Sequence, residues 1–127
     1  HEQLHNYLRD EKSHSFNIVD TESGSVIGHA ELVNMGNGLY KIDKLLIGDS
    51  GQRGKGTGLK VMQLLLRYAF ESLAATIVEL NVFDWNISAI RCYEKAGFAI
   101  NPLKSAVFKS GNEEWLALNM VAQRTDY

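Results

Sequence analysis

The chain has 127 residues, 13 Lys plus Arg against 15 Asp plus Glu, and a formal net charge of −2, which suits a single domain, 1–127, able to bury a real core. A hydrophobic share of 45% excludes a disordered chain, and a pI near 6.1 argues against nucleic acid as the main partner, because that binding wants a basic stripe. The single cysteine, Cys92, excludes an internal disulfide framework and suits a reducing, cytoplasmic compartment, while Arg67 breaks the longest apolar stretch, so neither a membrane span nor a signal peptide is expected.

In chain order, Leu4, Tyr7 and Leu8 lie at helical spacing, which predicts a short amphipathic helix over Glu2 to Lys12. Ser15 to Asp20 alternates as a strand, Thr21 to Ser25 is a turn, and Val26 to Asn34 returns. Met35 to Leu39 is a second glycine-rich turn before a strand over Tyr40 to Ile47. Five glycines then fall between Gly48 and Gly58. Apolar residues from Leu59 to Leu73 recur at three and four, which predicts an amphipathic helix of about four turns. Ile77 to Phe83 is a strand with Val78, Leu80 and Val82 on one face and Glu79 and Asn81 on the other. Asn86 suits the N-cap of a helix that closes at Gly97. Phe98 to Ile100, Ala106 to Lys109 and Trp115 to Val121 complete the strands, the last two joined by a turn at Ser110 to Asn112. The order βββαβαββ with a leading helix predicts an α+β fold built on a mixed sheet.

The glycine loop, Gly51-Gln52-Arg53-Gly54-Lys55-Gly56-Thr57-Gly58, stands between a strand and a helix. Glycines let the backbone approach a ligand and turn its N–H groups inward, and the helix start adds unpaired N–H groups and about half a positive charge. Such a loop suits a phosphate group, or is simply a flexible surface turn. A P-loop fails, because Asp49 stands where its first glycine belongs and Gly56 where its hydroxyl belongs. A dinucleotide loop fails on spacing too, with Gly58 one residue early after Gly54-x-Gly56.

Arg53-Gly54-Lys55-Gly56-Thr57-Gly58 resembles the acyl-CoA loop of the Gcn5-related N-acetyltransferases, the GNAT superfamily. A second block is similar in the same way: Leu80 to Asn86, then Ala89 to Phe98 with its Tyr93-Glu94-Lys95-Ala96-Gly97-Phe98 segment. The resemblance implies a mostly antiparallel sheet, splayed at its centre, with helices on both faces. It also implies a strand and helix ahead of Glu2, so that the sequence reads as an N-terminally truncated domain, as a domain continued upstream, or as one with an open or partner-completed acceptor side. The implied activity is transfer of the acetyl group of acetyl-CoA to a primary amine on a small molecule or peptide, with no metal, no nucleic acid or membrane partner, and homodimerisation as a family habit. The alternative is a CoA-binding module without catalysis.

The family roles fall residue by residue. Leu46, Ile47 and Gly48 would pair with the pantetheine arm, and an N–H near Ile47 or Gly48 would polarise the thioester carbonyl. Relatives commonly carry an apolar residue in place of Gly48, so this strand end is expected to be looser. Arg53, Gly54, Lys55, Gly56, Thr57, Gly58 and Leu59 would hold the pyrophosphate, and Asn86 would contact the CoA arm. Tyr93 would protonate the departing thiolate. Many relatives have a glutamate where this chain has Asn81, twelve residues before Tyr93. Asn81 takes no proton but can position a water. Glu79, on the same strand face, could substitute as the base, with Glu31 and Asp43 as further candidates. The four histidines share no metal-ligand spacing. Cys92 has no histidine–carboxylate context for a nucleophile. Trp85 and Trp115 suit packing before an acceptor pocket.

Overall fold

The computed structural model describes residues 2–9, 12–48 and 56–126. Seven strands form one sheet: β1 Glu2–Arg9, β2 Ser13–Asp20, β3 Val26–Gly36, β4 Leu39–Ile47, β5 Ile77–Phe83, β6 Ala99–Ser110 and β7 Glu113–Gln123. Helix α1 spans Thr57–Arg67 and α2 spans Ile87–Ala96. The sheet order is β1-β2-β3-β4-β5-β7-β6, antiparallel everywhere except between β4 and β5. This is the expected α+β architecture with a mostly antiparallel sheet.

Glu2–Arg9 is a strand and not the expected helix. Leu4 and Leu8 are four apart, a spacing that satisfies a helix face and a period of two alike. Pairing decides between them: β1 lies antiparallel along β2, from Glu2 opposite Asp20 to Arg9 opposite His14, and Leu4 packs against the core.

The two helices share one face of the sheet, contrary to the expectation of helices on both. From β4 to β5 and from β5 to β6 the chain steps in the same direction across the sheet, into a parallel strand each time. Right-handed crossovers in one direction place both helices on one side. Gly58 of α1 faces Cys92 of α2, and a Cβ there would lie 3.4 Å from its Sγ. The core lies under them: Phe16 and Ile18 from β2, Val78, Leu80 and Val82 from β5, Val61, Met62, Leu65 and Leu66 from α1, and Ile90 from α2. The other face carries a polar set that includes Ser15, Glu31, Glu79, Asn81 and Asn119.

Local chemistry sets the joints. Asn37 and Gly38, both at positive φ (55° and 82°), make the two-residue turn from β3 to β4. Helix α1 continues into a π-helical turn over Tyr68–Ser72, so the apolar run toward Leu73 is one element with a changed pitch. The expected strand pieces at Phe98 to Ile100 and Ala106 to Lys109 belong to the single strand β6. Its pairing with β7 shifts between Asn101 and Ala106, where Pro102 has no N–H to give.

Candidate functional site

Strands β4 and β5 pair over three residues only, Leu39 with Ile77, Tyr40 with Val78 and Lys41 with Glu79. Beyond Lys41 they part, and the sheet opens as the resemblance implies. A bulge in β4 shapes the opening. Glu31 of β3 faces Asp43 and His29 faces Leu46, so β4 spends one residue more than β3 between them. Lys44 supplies it in left-handed conformation, φ 52°. The extra residue reverses the alternation. Tyr40 and Ile42 face the core before it; Leu45 and Ile47 pack against the core after it, while Leu46 is 69% exposed.

The end of β4 is held to β3. The Gly48 N–H donates to Ile27 O. Neighbouring residues of a strand present their N–H groups to opposite edges. The Ile47 N–H therefore points toward the parted side. The Leu46 carbonyl, on the same peptide, points to β3, where a Cβ on Gly28 would meet it at 2.5 Å. The approach of Gly48 to β3 is close: a Cβ there would lie 2.9 Å from Ile27 O.

Two cavities meet in the parting. The larger, about 690 Å³, runs from Ile47 and Gly48 past Gly56, Thr57 and Gly58 to one face of α2. Gly56 stands at the N-cap of α1 with φ 73°, and among the described residues beyond its chain neighbours nothing lies within 4 Å of the position a Cβ would take. The α2 face supplies Ser88, Arg91 and Lys95. Sequence reasoning missed these three; their spacing of three and four on a solvated helix face was the available signal. The smaller cavity, about 280 Å³, opens along β4 and β5 and is bordered by Lys41, Asp43, Lys44, Asn81 and Phe83. Leu45, Asn86 and Tyr93 border both.

Asn86 occupies the N-cap of α2, but its side chain makes no cap hydrogen bond. Its backbone carbonyl accepts from the Ile90 N–H, which leaves the amide side chain to the cavities. Tyr93 packs its ring against Phe98 at 6.1 Å between centroids. Burial, and then the neighbouring Cys92, hold the Tyr93 phenol above the ordinary tyrosine value. The phenol is therefore protonated throughout the neutral range.

The structure brings Leu46, Ile47, Gly48, Gly56, Thr57, Gly58, Leu59, Asn86 and Tyr93 to β4, α1 and α2 around the parting, with Leu46 facing out of the larger cavity. Arg53, Gly54 and Lys55 lie outside the described residues. Asn81 borders the smaller cavity; Glu79 borders neither. The Glu79 carboxylate, 6% exposed, accepts from Asn119 Nδ2 at 2.8 Å and lies 3.6 Å from Lys104 Nζ. Glu31 accepts from Ser15 Oγ at 3.4 Å and pairs with Lys44 Nζ at 3.7 Å. Asp43 is a carboxylate on the cavity wall, with Oδ1 accepting from the Lys44 N–H at 3.0 Å. Trp85 stacks on Phe83 at 5.9 Å and Trp115 meets it edge-on at 5.4 Å, so the two indoles pack around a residue of the cavity wall. Among the described residues no group of three or more His, Cys, Asp or Glu could hold a metal, and no helix is long and apolar enough to cross a membrane.

Comparison with known proteins adds four findings. The model of the acetyltransferase (GNAT) family matches residues 1–98. Over 61 residues the chain is 41% identical to aminoglycoside N(6')-acetyltransferase type 1 of Klebsiella pneumoniae, covering 48% of this chain and 30% of that protein. Over 65 residues it is 35% identical to the spermine/spermidine N(1)-acetyltransferase of Bacillus subtilis, covering 51% of this chain and 42% of that protein. The matched stretch thus spans less than half the length of either relative. In fold, the chain is similar to the spermidine N-acetyltransferase of Vibrio cholerae solved with CoA and spermine. The TM-score is 0.81 at 22% identity, with 94% of this chain and 70% of that one covered.

Proposed function

The chain belongs to the acetyltransferase (GNAT) family, and from that premise we propose that it moves an acyl group from acetyl-CoA to a primary amine. The observation that carries this reading is the meeting of two cavities at Asn86 and Tyr93 through the parting of β4 and β5. One cavity suits a long phosphorylated thioester; the other offers an amine a separate approach.

The larger cavity fits the donor on its own chemistry. Gly56 leaves space, among the described residues, at the start of α1, where the N–H groups of a first helical turn and the helix dipole favour a diphosphate. Arg53, Gly54 and Lys55 precede it in sequence and would extend the same cradle. Arg91 and Lys95 add positive charge on the facing helix. Thr57, Gly58 and Leu59 follow along the cavity wall, and Leu45 and Ile47 lead on toward Tyr93.

The transfer is direct, with both substrates held together. The amine nitrogen attacks the thioester carbonyl from the smaller cavity, the new C–N bond forms, and the C–S bond breaks. The Ile47 N–H, aimed at the parted side, stabilises the oxyanion between these events. Gly48 leaves this role to Ile47, because its own N–H is bonded to Ile27. Tyr93 donates its proton to the departing thiolate. The proton shed by the amine leaves to water in the open groove, whose wall includes Asp43 and Asn81. Glu79 serves this side through Asn119 and Asn81. Holding two reactants in register is worth up to about 7–11 kcal/mol in well-oriented cases.

The test is thiol release from acetyl-CoA over a panel of amines that includes aminoglycosides, polyamines and peptides. Amine-dependent release supports the reading. CoA binding without release on any amine makes the protein a binding module instead.

A further inference from the structure

Asn119 on β7 is 1% exposed, on the face of the sheet away from the helices. Its Nδ2 donates to Glu79 Oε1 at 2.8 Å and to Asn81 Oδ1 at 3.0 Å. This small network has a fixed polarity. An ionised carboxylate only accepts hydrogen bonds, so Glu79 decides which end of the Asn119 amide points at β5. Asn119 then decides the orientation of Asn81. Facing an NH₂ group, the Asn81 amide must offer it Oδ1. What remains is the Asn81 Nδ2, a pair of donors with no partner among the described residues, on a residue that borders the smaller cavity. Lys104 Nζ lies 3.6 Å from Glu79 Oε1, the oxygen that starts the chain of constraints.

The charged groups on that cavity are biased the same way. Lys41 borders it and has no ion-pair partner among the described residues. Lys44 borders it with its ammonium 3.7 Å from Glu31. Asp43 is the carboxylate on the wall. Among the charged groups the groove therefore offers two ammonium groups against one carboxylate, beside the Asn81 NH₂ and the neutral Asn86 amide and Tyr93 phenol. A bare polycation would bring its charges against Lys41 and Lys44. A molecule with a carboxylate at one end and an amine at the other would satisfy Asn81 and Lys41 with the first and Asp43 with the second.

We propose that the acceptor groove selects amines that carry a carboxylate, and that Glu79 and Asn119 are positioning residues which set this preference by holding Asn81 as a donor. The proposal rests on the acyl-transfer reading for the groove's role, and its own content is the selectivity.

The test compares probes of matched length, 4-aminobutyrate and 1,4-diaminobutane, for binding to the protein with and without CoA. Binding is read by calorimetry and by the Asn81 side-chain NH₂ resonance. The carboxylate probe is expected to bind about tenfold more tightly or better, the scale of a charge-assisted hydrogen bond, and to move the Asn81 resonance. The isosteric Asn81→Asp, which turns the donor into an acceptor and still receives the Asn119 amide, is expected to reverse the order of the two probes. Glu79→Gln is expected to bring the ratio toward unity, because Asn119 is then free to turn over; a merely structural role would lower the melting temperature and leave the ratio alone. Tighter or equal binding of the diamine to the parent protein, no binding of either probe, or an unreversed order in Asn81→Asp overturns the proposal. Selectivity for the carboxylate probe in a protein that binds no CoA would leave it standing and remove the acyl-transfer reading instead.

Discussion

Asn86 and Tyr93 stand seven positions apart at the start and middle of one helix segment, and both border the larger cavity and the smaller one. The pairing follows from two local facts. The Asn86 side chain is released from capping α2, and Tyr93 lies two turns further along the helix, its ring against Phe98. Leu45 of β4 borders both cavities with them.

Tyr93→Phe is expected to lower kcat by about tenfold or more, at the modest end of general-acid effects, with little change in the KM for the acyl donor. The raised phenol pKa gives the sign of the pH dependence. Burial keeps the acid protonated in the folded protein, so the alkaline loss of kcat from this group comes above the ordinary tyrosine value of about 10. The linked stability runs the same way. The folded pKa is raised, so the contribution is complete below about pH 10 and is lost as pH rises through the folded value. A pH–rate profile of the parent and variant enzymes checks both statements.

Gly56→Asp is expected to weaken CoA binding at least about tenfold, because it sets a negative charge where the cradle needs donors. The fold should tolerate it. Among the described residues beyond its chain neighbours no atom lies within 4 Å of the added Cβ, and aspartate is among the residues that visit a left-handed φ, at some cost in strain. Calorimetry with CoA, beside a melting curve, separates the binding effect from any loss of stability.

Arg91→Glu and Lys95→Glu are each expected to weaken CoA severalfold, and the weakening should shrink as salt is raised. Both residues border the larger cavity from α2. Affinity measured at two ionic strengths for each variant is the check. A change that ignores salt would point to packing instead of charge.

Gly38→Ala is expected to destabilise the protein by about 1–3 kcal/mol without touching the cavities. The position needs φ 82°, and a Cβ would fall 2.7 Å from Thr76 Oγ1. The Gly38 carbonyl also accepts from the N–H groups of Thr76 and Ile77, tying the β3–β4 turn to the start of β5 where the short parallel pairing begins. Chemical denaturation measures the loss.

The strands from Ser13 to Ile47 were legible because alternation, the Asn37-Gly38 turn and the glycine at position 24 speak with one voice. So was the pair formed by α1 and α2, from apolar spacing and from Gly97 at the end. The first strand was not, since leucines four apart fit both periods and only the partner β2 decides. The face taken by the helices was not either, because it depends on the order β4-β5-β7-β6, which no local pattern encodes. At the site, the family resemblance pointed to Ile47, Gly48, Gly56 and Tyr93, which the fold gathers around the parting. The bulge at Lys44 could not: its left-handed backbone is imposed by the register between β3 and β4, on a residue that carries no turn signal. The link from Glu79 through Asn119 to Asn81 joins two strands 38 residues apart in sequence and becomes visible only once β5 and β7 lie side by side.

The most direct measurement is a backbone amide NMR titration with CoA. Shifts are expected to concentrate at Ile47, at Gly56 to Leu59 and along the α2 face through Tyr93, with saturation, while β6 and β7 stay still. Shifts confined to β6 and β7, or none at millimolar CoA, would contradict the claim that the parted strands and the start of α1 form the acyl-donor site.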